Sequence, residues 1–79
     1  MNTRITYCTS WNYKPEADRV SAEIESITGV SAQLEAGSGG VFNVFFGDDL
    51  VFSKSEFQRF PHRGEVAAKI KPLLEHPKH

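Results

Sequence analysis

Arg4-Ile5-Thr6-Tyr7-Cys8-Thr9-Ser10-Trp11-Asn12-Tyr13-Lys14-Pro15 holds a strand, a loop and the start of a helix. Ile5 and Tyr7 alternate with Arg4 and Thr6, the period of two that a half-buried strand requires. Residues 9–13 break that period and read as a loop. Lys14 precedes a proline and is biased away from helical ψ. Pro15 suits the first helical position, where its missing N–H costs nothing. Glu16 and Asp18 follow in the first turn, where they complement the positive end of the helix dipole. Ala17, Val20, Ile24 and Ile27, spaced 3, 4 and 3, make one core-facing stripe, with Arg19, Glu23 and Glu25 off it. Gly29 stops this helix, predicted over residues 15–28.

Downstream, Val30, Ala32, Leu34 and Ala36 alternate with Ser31, Gln33 and Glu35, predicting a strand over residues 30–36 with one buried face. Gly37-Ser38-Gly39-Gly40 ends it, its glycines supplying positive φ and close backbone approach. Residues 41–46 are apolar on both faces apart from Asn43, which predicts a central strand covered on both sides. Gly47-Asp48-Asp49 makes a tight turn into a return strand over residues 50–54. Residues 55–63, with Phe57, Phe60 and Pro61, read as irregular. After Gly64 a second helix carries Val66, Ala67, Ile70, Leu73 and Leu74. Pro72 predicts a kink or restart near Lys71, because it removes the donor to the Ala68 carbonyl. The order is β-α-β-β-β-α. The first two strands flank a helix and should be parallel through a right-handed crossover. The last two form an antiparallel hairpin, so the α/β chain builds a mixed four-stranded sheet with two helices.

The 79 residues suffice for one domain, 1–79, and not for two. A chain this short buries only about 60–65% of the surface its unfolded form exposes. Its core must be close to one layer of helices on a sheet, and six Phe, two Tyr and one Trp must carry much of it. Nine Lys/Arg and ten Asp/Glu are interspersed without a basic stripe, so no nucleic-acid partner is expected. No apolar run approaches the roughly 18–20 residues that cross a bilayer. Met1-Asn2-Thr3-Arg4 runs into a strand pattern without an apolar leader, and the expected location is cytoplasmic. The single cysteine, Cys8, cannot form an intramolecular disulfide or a Cys-type zinc site. His62, His76 and His79 lack further ligands, so no metal is expected.

Y-C-T-S-W-N-Y-K-P at residues 7–15, G-S-G-G-V-F-N-V at 37–44, D-D-L-V-F-S-K at 48–54 and R-F-P at 59–61 lie in order along nearly the whole chain, and together they resemble the selenoprotein-W-like (Rdx) thioredoxin-like family. Y-C-T-S-W-N-Y-K-P at residues 7–15 resembles the family's strand ending in C-x-x-U or C-x-x-C followed by x-Y-K-P. G-S-G-G-V-F-N-V at residues 37–44 is similar to its glycine-rich turn into a central strand. D-D-L-V-F-S-K at residues 48–54 resembles its hairpin return, and R-F-P at residues 59–61 its approach to the last helix. The resemblance implies a thioredoxin-like fold and thiol or selenol chemistry in redox homeostasis, often linked to glutathione. Cys8 matches the first member of the family's reactive pair. Trp11 stands in place of the second, and an indole forms neither disulfide nor selenenylsulfide. Exchange through a paired centre is therefore excluded for this chain alone.

Cys8 is the redox candidate: thiolate attack, then a mixed disulfide with glutathione as co-substrate or with a protein partner. No resident cofactor is implied. The competing reading is a thiol that only packs, since free Cys is among the most buried residue types. Lys14 and the nearby helix start are features that lower a thiol pKa, whereas a Trp11 ring over Cys8 would raise it. Trp11 is also a candidate recognition anchor. Phe60 and Arg59, with Phe57 and Arg63, form an aromatic-basic segment that either caps the sheet or grips a partner's or glutathione's carboxylates. The Gly37–Gly40 turn lacks the Lys-Ser/Thr ending of a phosphate loop. Gly40-Val41 stands where thioredoxin relatives place a cis-proline. Ser10 has no paired base and reads as a loop hydroxyl. Two functions stay open: a one-cysteine thiol-redox protein, and a redox-inactive interaction module that keeps the fold. The sequence leaves open whether the chain is an enzyme.

Overall fold

The computed structural model describes residues 2–75. The strand-loop-helix reading of the opening stretch becomes β1 (Thr3–Cys8) and α1 (Lys14–Thr28). β2 (Gln33–Gly37), β3 (Phe42–Phe46) and β4 (Asp49–Ser53) follow, then a short α2 (Lys54–Phe57) and α3 (Glu65–Glu75). The four strands lie in the order β2-β1-β3-β4. β1 pairs parallel with β2 and antiparallel with β3, and β3 and β4 form the antiparallel hairpin.

Register decides which face is the core. Thr3, Ile5 and Tyr7 lie opposite Phe46, Val44 and Phe42, and their side chains share one face. α1 brings Ala17, Val20 and Ile24 onto that face, and α3 brings Val66 and Ile70. Ile5, Val20, Ile24, Val44, Val66 and Ile70 are all 0% exposed, with Phe42 and Phe52 at 1%. Full burial of such a side chain contributes about 1.5–3 kcal/mol, while a surface ion pair contributes about 0–1 kcal/mol. Apolar packing, not charge, therefore holds both helices to the sheet.

The architecture expected from the sequence is the one observed, with local differences. The second strand begins at Gln33, not at Val30, which is 65% exposed. Hydroxyls of α1 take the backbone donors that a ladder would have used. Thr28 Oγ1 accepts from Val30 N–H at 3.1 Å and Ser21 Oγ from Ala32 N–H at 3.2 Å. β3 is not covered on both sides: its second face carries Asn43 and Phe45 beside Thr6 and Arg4. α1 and α3 both bring their buried residues to the first face. The Arg4 guanidinium instead lies 4.7 Å from the Phe45 ring centroid.

β4 ends one residue before Lys54, and its register slips so that Val44 faces Phe52 while Phe45 faces Leu50. The segment read as irregular opens with α2, which Gln58 closes in the left-handed region at φ +57°. α2 lets Phe57 stack on Phe52 with centroids 5.0 Å apart. α3 runs unbroken through Pro72 to Glu75, where a kink or restart is expected from sequence. Ala68 and Pro72 are both exposed, so water can replace the donor that the Ala68 carbonyl loses. His76 and His79 lie outside the described residues. Among those residues, no three or more His, Cys, Asp or Glu cluster as metal ligands, and no helix is long and apolar enough to cross a membrane.

Candidate functional site

Cys8 closes β1, opposite Gly37 of β2. Its N–H donates to the Val41 carbonyl at 2.8 Å, tying the strand end to the glycine-rich turn. The chain then curls through a tight loop in which Asn12 adopts φ +55°, a left-handed conformation that Asn tolerates better than most residues. This curl turns the backbone N–H groups of Ser10 and Trp11 toward the Cys8 sulfur. Gly40 adds a third N–H from the facing turn.

Cys8 has no exposed surface at the end of β1. Burial pushes the thiol up and is the largest single influence. The hydrogen bonds from Gly40, Ser10 and Trp11 push it down, and together they win, so the pKa lies below its ordinary value of 9.0.

The two loops that supply these amides touch through Trp11. Gly40 adopts φ +77°, and a Cβ there would come within 2.5 Å of Trp11 Cζ3 and 3.0 Å of Cε3. Only glycine lets the indole lie on this backbone. Gly37 is tight in the same way, since a Cβ would meet Val41 Cγ1 at 2.5 Å. The outer side of the Trp11 ring remains open, and the residue is 61% exposed. From it an edge-to-face series runs inward: Trp11 to Tyr13 at 6.2 Å, Tyr13 to Phe60 at 4.7 Å, Phe60 to Phe42 at 5.3 Å.

Of the residues singled out from sequence, Cys8, Trp11 and Phe60 come together at this end of the sheet. Lys14 does not: its ammonium lies 3.1 Å from both carboxylate oxygens of Asp18. Backbone amides, not a lysine, therefore lower the thiol pKa. Arg59 is likewise engaged, with two hydrogen bonds of 2.7 and 2.9 Å to Glu65 and its guanidinium 5.5 Å from the Phe57 centroid. No peptide bond of the described residues is cis, and Gly40 instead turns its amide to the sulfur.

Sequence reasoning missed Lys54. It lines a groove of about 340 Å³ with Trp11, Gly40, Phe42, Asn43 and Ser55. Its Nζ lies 5.7 Å from the Tyr13 centroid and 5.6 Å from that of Phe60. The signal was available, since Lys54 ends the hairpin-return motif, but no spacing within the chain connects it to Cys8. A separate cavity of about 370 Å³, lined by Thr3, Thr28, Val30, Phe46 and Leu74 among others, opens at the opposite end of β1 and holds none of the candidate residues.

Comparison with known proteins bears directly on this arrangement. The model of the Rdx family matches residues 2–72. The crystal structure of a selenoprotein W-related protein from Vibrio cholerae superposes with a TM-score of 0.85 at 18% identity, covering 92% of this chain and 95% of that one. A protein from Bordetella parapertussis superposes at 0.83 with 22% identity, covering 90% and 94%. At such identities the two structures establish the fold alone. No curated protein matches the sequence. The family model covers nearly the whole chain, and the chain belongs to the Rdx family.

Proposed function

We propose that this chain is a one-cysteine thiol-redox protein acting through Cys8. The Cys8 thiolate attacks one sulfur of glutathione disulfide or of a protein disulfide. A bond forms between Cys8 Sγ and that sulfur, the original S–S bond breaks, and its electron pair leaves on the other half as a thiolate. With Trp11 in the second position, the mixed disulfide has no internal resolving group. A second thiolate from solution must release Cys8 by attacking the outer sulfur.

The observation that carries this reading is the place of Cys8 at the end of β1, tied by its N–H to the Val41 carbonyl of the glycine-rich turn, where the Gly40, Ser10 and Trp11 amides hold its thiol pKa below the ordinary value. An ordinary thiol, with a pKa of about 8.5, is only a few per cent ionised at neutral pH. A lowered pKa raises that fraction. Trp11 and Phe60 keep binding roles in this proposal, while Lys14 and Arg59 can take part only by giving up Asp18 and Glu65. One observation favours the second reading, an interaction module: Cys8 has no exposed surface while Trp11 is open to solvent.

Folded protein incubated with glutathione disulfide across a pH series separates the two. A redox site gives one reversible glutathionyl adduct per chain by intact mass, with a midpoint below that of a free thiol, and none in Cys8→Ser. A thiol that stays unmodified until the protein unfolds supports the interaction module.

A further inference from the structure

We propose that Trp11 is a positioning residue for Cys8 and acts through Gly40: its indole holds the glycine-rich turn so that the Gly40 amide stays within reach of the sulfur. The proposal rests on Cys8 as the reacting thiol for its purpose, though not for its geometry.

The turn needs such a hold. Gly39 and Gly40 are consecutive and both lie at positive φ, +71° and +77°. Glycine loses more backbone freedom on ordering than any other residue. Two backbone hydrogen bonds pin the ends of the turn, from the Thr9 N–H to the Gly37 carbonyl at 3.4 Å and from the Cys8 N–H to the Val41 carbonyl at 2.8 Å. Between those ends the packing is one-sided. A Cβ on Gly39 would meet nothing within 4 Å. A Cβ on Gly40 would meet Trp11 Cζ3 at 2.5 Å, Cε3 at 3.0 Å and Cη2 at 3.3 Å, and these are its three nearest atoms. The indole therefore fills the space in which a side chain of residue 40 would stand.

The ring is itself held from within. The edge-to-face series runs from Trp11 through Tyr13 and Phe60 to Phe42. Phe42 is 1% exposed and stands two residues after Gly40. The series thus leaves the turn at Gly40 and returns to the same stretch of chain in the core. Each ring contact is weak alone, but together they fix the indole on the turn.

The effect on the sulfur has a sign. Burial pushes the Cys8 thiol up most, and among the amides that push it down Gly40 comes first, then Ser10 and Trp11. Removing the indole leaves the residue 11 N–H in place and frees the turn, so the Gly40 hydrogen bond weakens and the thiol pKa rises. A ring that merely kept water from the sulfur would do the opposite, since its removal would hydrate the thiolate and lower the pKa.

The test follows the thiolate by its ultraviolet absorbance against pH, each protein measured against its own Cys8→Ser counterpart. Trp11 is 61% exposed, so Trp11→Ala should keep the fold, which circular dichroism checks. Its titration midpoint should rise, with about tenfold less thiolate at neutral pH, the scale of a lost hydrogen bond to a charged group. Gly40→Ala, whose Cβ displaces the ring, should raise the midpoint too. Gly39→Ala carries the same positive φ without the contact and should leave it in place. The double variant Trp11→Ala/Gly40→Ala should shift no further than the larger single change, because both remove one contact. An unchanged or lowered midpoint in folded Trp11→Ala, a Gly39→Ala shift equal to that of Gly40→Ala, or fully additive effects would overturn the proposal. The absorbance needs no disulfide, so the outcome is independent of any exchange reaction. A raised midpoint in Trp11→Ala, with no glutathionyl adduct on the wild type, would remove the redox reading alone. An adduct on the wild type, with no rise in Trp11→Ala, would remove this inference alone.

Discussion

Position 11 concentrates the chemistry of the site. Its backbone N–H helps to hold the Cys8 sulfur, and its ring lies on Gly40, whose own N–H does the same. Position 11 thus faces the sulfur through its backbone even though an indole cannot bond to it. The amides of Ser10 and Trp11 reach Sγ only if the chain curls around it, which brings positions 8 and 11 close. Disulfides need Cα atoms roughly 4.4–6.8 Å apart. Trp11→Cys should therefore form a disulfide with Cys8 under mild oxidation, read as loss of both free thiols in the folded monomer. Two free thiols in that monomer would mean that the loop only resembles a redox loop in its letters. The bridge need not raise stability, because so short a loop removes little unfolded-state entropy.

Among the elements, α3 depends on the segment that leads into it. Glu65 Oε1 accepts from the His62 N–H at 2.9 Å, closing the turn that leads into α3, while the same carboxylate takes both hydrogen bonds from Arg59. Arg59 first, then the His62 amide, hold the Glu65 carboxyl down at about 2. A depressed carboxyl contributes stability that is complete above its ordinary value of 4.5 and is lost as pH falls through about 2. Glu65→Gln should flatten the acid dependence of the unfolding midpoint in that window. At neutral pH it should cost about 1 kcal/mol, less than the full shift implies, because solvent screens a pair at the surface. Urea melts of both proteins across the window check this, and parallel pH profiles would show that the pair carries no linkage. Pro72, by contrast, leaves α3 whole because the carbonyl it deprives faces solvent.

At the scale of the whole molecule, α1 is fastened to the far end of the chain. The Arg19 guanidinium donates to the Pro61 carbonyl at 2.6 Å and to Glu23 at 2.9 Å, and Glu23 accepts from the Gly64 N–H at 3.0 Å. Pro61 is buried, so its carbonyl has little access to replacement water. This clamp sets the segment that carries Phe60, and through Phe60 the aromatic series that reaches Trp11. Arg19→Ala should cost about 1–3 kcal/mol, the cost of leaving a buried acceptor unpaired. Lys14→Ala, which breaks an exposed pair, should stay within about 0.5 kcal/mol of the wild type. Equal effects of the two in urea melts would show that the clamp is only another surface pair. Arg19→Ala should also shift the Trp11 emission, since the aromatic series loses its inner support.

Local periodicity was enough to read the order of elements, the α1 and α3 stripes and the parallel crossover, because each depends on residues within about two turns or one strand of each other. The resemblance of four stretches identified the family and pointed to Cys8 and Trp11. Tertiary structure alone decided the rest. Apolar letters at Phe45 do not say whether a helix or an arginine will cover them, since that depends on which face both helices choose. The start of β2 was hidden because Thr28 and Ser21 claim its backbone donors from another element. Lys14 looked like the cation beside Cys8, yet Asp18, one helical turn away, holds it, and the thiol is served by amides. The Gly40 amide and Lys54 are 32 and 46 residues from Cys8, and no local pattern links them to it. Hydrogen bonds and charge act through a few ångströms of space, and only the folded sheet brings those residues within that reach.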